Sequence, residues 1–469
     1  MTSFLLISVT ASASSLAQPA AIEKPESAES SWAIVGDGAS SPTQPKAAAL
    51  PPPLESPATA PTTATNSTIS KGLRDAFDAA LRHGETMSIQ KELLIQAGES
   101  YNQALNSFAP TLSATAGYLH QKTPNASTAP SFLPDQRTSK ISLSMPLFRG
   151  LRDFAALRQR KLHKEAQVFV LQTAARQLFY DVATAFYNLL ALQSDEKNYQ
   201  AEIEINRKRL SDLQTYLRIG RTRPTELLTL QANISSLEAQ LEQIRGQLEN
   251  AKDVLAFLAN WDRSTMIVDD ESEFSASSIE QYLEVLEQRA DIRSALASAK
   301  AASENVPIAR GGHLPSLDFV GDNYFQRPGQ PDGGPNWSVQ LVLSVPIFQG
   351  GIVNSQVRQA QSVAHQFELQ LTQVRRLANE EVRTLHNSFT ADQKQLGKLE
   401  QTVGWAKKNY LSQLADYKNG LVTNLEVLTA TSTYQNAVRN MDRQLHKLKL
   451  DSVKLQAAIG KRSEINLVE

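Results

Sequence analysis

The chain has 469 residues, enough for two or three ordinary domains or for one long repeated architecture. Its 47 basic and 48 acidic residues leave a formal net charge of −1, so no basic excess points to nucleic acid and no acidic excess to a solvating tail. It contains no cysteine, which excludes disulfides, thiolate metal sites and a lipid-modified N-terminal cysteine.

In chain order, the first feature is an apolar run from Phe4 to Val9, followed by small residues through Ala17. This predicts a secretory signal peptide over 1–17. Residues 18–69 are rich in Pro, Ala, Ser and Thr, with Pro51, Pro52 and Pro53 in a row and no apolar periodicity. Such a stretch cannot bury enough surface to offset its ordering entropy, and it predicts a disordered linker. Past the first run no apolar stretch approaches the roughly 20 residues of a membrane helix, so a membrane crossing would have to be made by strands.

From residue 71 the chain repeats itself. Ser144, Pro146, Phe148 and Gly150 recur as Ser344, Pro346, Phe348 and Gly350, and Gly220, Glu226 and Leu228 recur as Gly420, Glu426 and Leu428, all at a shift of 200. Pro110-Thr111-Leu112 and Pro315-Ser316-Leu317 sit at a shift of 205, so the first repeat has the longer loop between these markers. The repeats are expected at 71–262 and 277–461. Each predicts a short helix (71–82 and 278–288), a medium helix (86–108 and 290–310), two strands, a very long helix, a tight turn and a second long helix.

The strands follow from alternation. Leu112, Ala114, Ala116 and Tyr118 share one face; Ile141, Leu143 and Met145, then Leu317 and Phe319, then Trp337, Val339, Leu341, Leu343 and Val345 do the same. Their neighbours are mostly small and polar, as in a barrel with lipid outside and water inside. Four strands cannot close a barrel, and an open edge in lipid is forbidden, so several chains must contribute. The long helix over 150–217 has no interior proline and would reach roughly 100 Å. After it, Leu230, Ile234, Leu237, Leu241, Ile244, Leu248, Ala251, Leu255 and Leu258 alternate in steps of four and three, a coiled-coil seam. In the second repeat Val427, Tyr434, Val438, Met441, Leu445, Leu448, Leu455 and Ile459 lie on the same grid, with Thr431 and Ser452 interrupting it.

No nucleotide-binding P-loop, no H-E-x-x-H and no G-x-S-x-G occur, and the seven histidines are scattered. No enzyme activity, cofactor or metal is expected.

Three segments carry a resemblance: Gly312-His313-Leu314-Pro315-Ser316-Leu317-Asp318, Ser344-Val345-Pro346-Ile347-Phe348-Gln349-Gly350-Gly351, and Gly420-Leu421-Val422-Thr423-Asn424-Leu425-Glu426-Val427-Leu428. In order, spacing and duplication they resemble the TolC family of outer-membrane export channels over about residues 71–461. The resemblance implies a mainly α fold with a small β part. In a homotrimer, four strands per protomer would build a twelve-stranded β-barrel in outer-membrane lipid, above a long α-helical coiled-coil barrel in the periplasm. It also implies a periplasmic adaptor and an inner-membrane pump, proton-driven (RND) or ATP-driven (ABC), serving drug efflux or type I secretion. A periplasmic adaptor and a coiled-coil scaffold or adhesin are the competing readings.

The resemblance also suggests site residues. Pro146, Phe148, Gly150, Pro346, Phe348 and Gly350 fit strand-to-helix junctions, where proline ends the ladder and glycine turns the backbone. Phe148 and Phe348 would lie either at the membrane–water boundary or inside, with Trp337 or Tyr324 at the other rim. Gly220 and Gly420 would form the periplasmic tip, where Glu226 and Glu426 match acidic gate positions. Both glutamates also suit a purely local role at a helix start, Glu426 through capping-box spacing from Thr423 and Glu226 after Pro224. Tyr417 matches a tyrosine that holds the tip closed, here with Glu226 as partner, or else it packs on the seam. Val422 and Thr429 depart from a basic and an acidic position of some family members.

Overall fold

A computed structural model describes residues 71–122, 135–269, 278–327 and 336–460. The expected signal peptide and linker lie outside the described residues. The first repeat folds as α1 (Leu73–His83), α2 (Glu85–Asn106), β1 (Thr111–His120), β2 (Asp135–Arg149), α3 (Arg152–Arg218) and α4 (Pro224–Ala259). The second folds as α5 (Ile279–Glu284), α6 (Ala290–Ser303), α7 (Asn305–Arg310), β3 (Ser316–Gln326), β4 (Trp337–Ser344), α8 (Ile352–Lys418) and α9 (Asn424–Ala458). The duplication is quantitative: α3 and α8 each span 67 residues, roughly 100 Å.

The second repeat's medium helix, expected over 290–310, is broken after Ser303 into α6 and α7. Pro307 explains the break, because its ring clashes with the carbonyl four residues back and it has no N–H to give. The short helix expected over 278–288 likewise stops at Glu284 and continues as a single 3-10 turn, Leu286–Gln288.

The first seam is buried from Leu230 through Leu255; only Leu258 is half-buried. In α9 the reading needs correction. Val427, Leu455 and Ile459 are buried, but Leu445 is exposed and Tyr434, Val438, Met441 and Leu448 are partly open, while Thr431, Gln435, Arg439, Gln444 and Ser452 are buried. The reason is that α9 packs on both α8 and α3, so its buried surface is wider than one stripe and includes polar residues with partners on α3.

Two apolar clusters form a girdle partway along the long helices. In one, α1, Met87, the α3 segment Leu171–Leu190 and the C-terminal end of α4 surround Phe77, Phe179 and Phe186. The other joins Tyr282, Leu286 and Ile292 to Leu371–Phe389 of α8 and the end of α9. A buried polar knot stitches the repeats together there. Arg289 bonds Asp291 and Glu381, Arg176 bonds Asp291, and the Tyr180 hydroxyl donates to Glu381. Burial pushes the Asp291 carboxyl up, but Arg289 and Arg176 outweigh it and hold it below the usual carboxylate range.

Candidate functional site

The four strands form one antiparallel sheet in the order β1-β2-β3-β4. Its register sorts the side chains: Leu112 faces Leu143, Leu317 faces Leu343, Phe319 faces Leu341, and Ser144, Ser142 and Asp322 share the other face. On that polar face Asp322 accepts hydrogen bonds from Lys140 and Ser142. The apolar face meets no core: none of the described strand residues is buried, and Leu341 and Trp337 are 64% and 68% exposed. Within one protomer β1 and β4 each have a single neighbour, so both outer edges keep unpaired backbone groups.

Below the sheet, Gly150 (φ +62°) and Leu151 (φ +60°) turn the chain from β2 into α3, and Gly350 (φ +58°) and Gly351 (φ +78°) turn it into α8. Pro346 lies past the end of β4. Pro146 does not end its ladder: β2 runs on to Arg149, with Pro146 opposite Asp318 and a bulge before Phe148. The proline is tolerated because β1 stops pairing at Ser144, leaving this stretch of β2 with β3 alone. Neither phenylalanine is in the protomer's interior; Phe148 is 37% and Phe348 87% exposed.

At the opposite end the two hairpins close with the same turn. Gly220 (φ +76°) donates to Leu217 O and Arg221 to Tyr216 O; Gly420 (φ +76°) donates to Tyr417 O and Leu421 to Asp416 O. Only a residue at ease in the left-handed region ends a helix this way, which is why glycine stands at both places. Glu426 accepts from the Thr423 backbone N–H at 2.6 Å and the Thr423 hydroxyl at 2.9 Å, a formed capping box. These bonds hold its carboxyl below the ordinary glutamate value. Glu226 accepts from Thr222 at 2.9 Å, and the Tyr417 hydroxyl lies 3.5 Å from the same oxygen. Tyr417 also packs against the apolar cluster of Leu213, Leu230, Ile234 and Leu428.

One tip residue escaped the sequence reading. Arg209 of α3 is 9% exposed; its Nε donates to Asn424 Oδ1 of α9 at 2.7 Å and its guanidinium lies 4.3 Å above the Tyr417 ring. The available signal was spacing: Asp195, Glu202 and Arg209 are seven apart and, with Asn206 and Leu213, are all buried on α3. Polar residues on a long helix usually face water, so spacing alone does not mark these as buried.

The described residues contain no group of side chains placed to hold a metal ion, and no helix among them is long and apolar enough to cross a membrane.

The model of the family described as outer membrane efflux protein matches residues 80–260 and 282–461, one match per repeat. The outer membrane protein TolC of Escherichia coli (strain K12) is 25% identical over 393 residues, 79% of this chain and 78% of its own length. The proteases secretion protein PrtF of Dickeya chrysanthemi is 23% identical over 434 residues, 85% of this chain and 90% of its own. Among solved structures, the outer membrane protein VceC of Vibrio cholerae superposes with a TM-score of 0.74 at 22% identity, covering 83% of this chain and 96% of that one. The open state of the Neisseria gonorrhoeae MtrE outer membrane channel gives 0.69 at 19%, covering 83% and 88%. With both of its repeats matched, this chain belongs to the outer membrane efflux protein family.

Proposed function

We propose that three copies of this chain join their sheets into one twelve-stranded barrel and their long hairpins into one tube, and that the trimer works with a periplasmic adaptor and an inner-membrane pump of the RND or ABC type. The chain is the outer-membrane channel component of such an efflux or type I secretion system, with the sheet in the membrane and the helices in the periplasm. It is a passive duct with no reaction of its own. The observation that carries this reading is the sheet: an apolar face with no core beneath it and two unpaired edges is stable in hydrocarbon only when neighbouring copies supply the missing strands. An adaptor or a soluble scaffold would require that face to be covered within its own chain.

The repeats 71–262 and 277–461 are the two halves of the protomer, preceded by a signal peptide over 1–17 and a linker over 18–69. The junction residues Pro146, Phe148, Gly150, Pro346, Phe348 and Gly350 mark the periplasmic boundary of the barrel. Gly220, Glu226, Tyr417, Gly420 and Glu426 form the periplasmic tip, where the tube narrows to a gate and meets the adaptor. Support for the gate comes from the Tyr417–Glu226 contact, which joins α8 of one hairpin to α4 of the other. The test is the mass of the protein extracted from outer membranes. A detergent-bound trimer is expected, and a monomer that stays in solution without detergent would overturn the proposal.

A further inference from the structure

At the level of the girdle, the two sides of α3 differ. Phe179, Val182, Ala183 and Phe186 pack with α1 in one apolar cluster, where Phe77 meets Phe179 edge-on at 4.9 Å. Asp181, Thr184, Ala185 and Asn188 lie roughly half a turn round the same helix. They floor an open groove of about 540 Å³, walled by the end of α4 on one side and by residues 443–450 of α9 on the other. Both walls belong to one protomer, so the groove is complete without a neighbouring copy. A second hollow between α3 and α4 shares Ala185, Asn188 and Val254 with it and extends it. The orientation of the groove rests on the duct reading: the extra layer formed by α1 leaves the bore open only if it lies outside the tube, which turns the groove inward.

The groove has the size of a small-molecule site, roughly 300–1,000 Å³. Part of its lining is apolar, from Ala185, Val254, Leu258 and Leu450. Beside that surface stand Arg443 and Lys447, one turn apart on α9, each anchored from behind. Among the described residues Arg443 gives only its Nε to Asp195, at 2.8 and 3.1 Å, and Lys447 gives one N–H to Asp392 at 2.9 Å. The two carboxylate side chains are each 4% exposed, whereas the cations are 49% and 57% exposed. A solute in the groove therefore meets the remaining N–H groups of the cations before it meets either carboxylate. His446, also in the lining, adds no charge, because burial lowers its imidazole pKa. Asp181, bonded to Gln177 of its own helix, is the one carboxylate among the described residues of the lining. Apolar surface alone would hold apolar solutes without regard to charge; cationic donors beside it select an acidic head.

We propose that the groove is a binding site on the duct wall for small organic anions: an apolar body lies on Val254, Leu258 and Leu450, and its carboxylate or sulfonate is held by Arg443 and Lys447. Each protomer carries one such groove, so the trimer has a ring of them at the level of the girdle. The open side of the groove and the nearby Asp181 keep the hold weak, which a conduit requires, since a tightly held solute would stay and obstruct it.

The chain has no cysteine, and Val254 is 51% exposed, so Val254→Cys supplies a single accessible thiol in the groove of each full-length chain. Channels of this variant in planar bilayers are treated with sulfonatoethyl methanethiosulfonate. The rate of the current change is measured alone and with naphthalenesulfonate, naphthylmethylammonium or methanesulfonate present. The current is expected to fall, and naphthalenesulfonate alone should slow the fall. In the same background Asp181→Asn should raise the protecting affinity about threefold to tenfold and Arg443→Gln should lower it by a similar factor, the effect of one charge a few ångströms away near a protein surface. A thiol that stays unmodified, or a current that falls at one rate whichever solute is present, overturns the site and leaves the duct reading standing. Equal protection by the ammonium or by methanesulfonate overturns it too, because the groove would then select neither charge nor apolar body. So does protection unaltered by Asp181→Asn, a change at an exposed side chain that removes no buried partner. A thiol shown by mass to be modified, with no change in current, places the groove off the conducting path and overturns the duct reading together with the proposal.

Discussion

At residue scale, the partly buried carboxylates Asp451 and Asp291 respond to pH in opposite ways. Asp392 of α8 receives Lys447 at 2.9 Å, and its second oxygen is buried with no donor while its neighbour is ionised. Asp451 of α9 lies beside it, and burial together with the hydrogen bond to Asp392 pushes its pKa up to about 6 from 3.8. A proton on Asp451 therefore supplies the missing donor. Since the folded chain holds this proton longer than the unfolded chain, its stabilising effect is complete below pH 3.8 and is lost as the pH rises through about 6. Asp291 has the opposite sign: its lowered pKa adds stability above the ordinary carboxylate value and gives it up on acidification. Replacing Asp451 by Asn keeps the donor at every pH. Asp451→Asn should raise the melting temperature near pH 7 by about 2 °C, from a gain of roughly 1 kcal/mol after allowing for partial solvation, and leave it unchanged near pH 4. Calorimetry of the trimer across that range checks the prediction.

At the scale of elements, the strand-to-helix junctions perform one turn with two levels of constraint. Gly150 is left-handed and crowded: a Cβ there would lie 2.6 Å from Gly311 O and 2.8 Å from Leu314 Cβ. Gly350 has the same conformation and nothing within 4 Å in its protomer. Gly150→Ala should therefore cost about 2–4 kcal/mol, backbone strain plus a collision with another main chain, and Gly350→Ala only the strain of about 1 kcal/mol. Chemical denaturation of the two variants should rank them in that order; equal losses would mean that crowding at Gly150 is relieved by a shift of the Gly311 turn. Leu151 already bears left-handed strain at the position that Gly351 fills in the second repeat.

At the scale of the whole molecule, the sheet's two faces make opposite demands. Leu341 and Gln340 are adjacent on β4, both exposed in the protomer, and the register puts Leu341 with Phe319 on the apolar face and Gln340 with Val320 on the other. In the assembled barrel Leu341→Arg places a charge in hydrocarbon at about 2–4 kcal/mol per chain, whereas Gln340→Arg adds one to a water-filled interior. Outer-membrane yield of folded trimer should fall sharply for Leu341→Arg and stay near wild type for Gln340→Arg, read by fractionation and unheated gel mobility. Loss in both variants would show that the strands, not their lipid face, are the sensitive feature.

The lengths of the long helices, the α4 seam and the sides of the strands were legible in the sequence, because each is a periodic pattern within one element and is fixed by local geometry: steps of two for strands, of three and four for coiled helices; the duplication was legible in two sets of markers at one shift of 200. Tertiary structure decided the rest. It set the polar contacts between α3 and α9, where Glu202 pairs with Arg439 and Arg209 with Asn424, 237 and 215 positions apart in sequence. It let Pro146 stay in a ladder by ending β1 beside it, and it brought Tyr417 next to both Glu226 and Arg209. A charged residue reads as solvent-facing until the element that covers it is known, and that element lies in the other half of the chain.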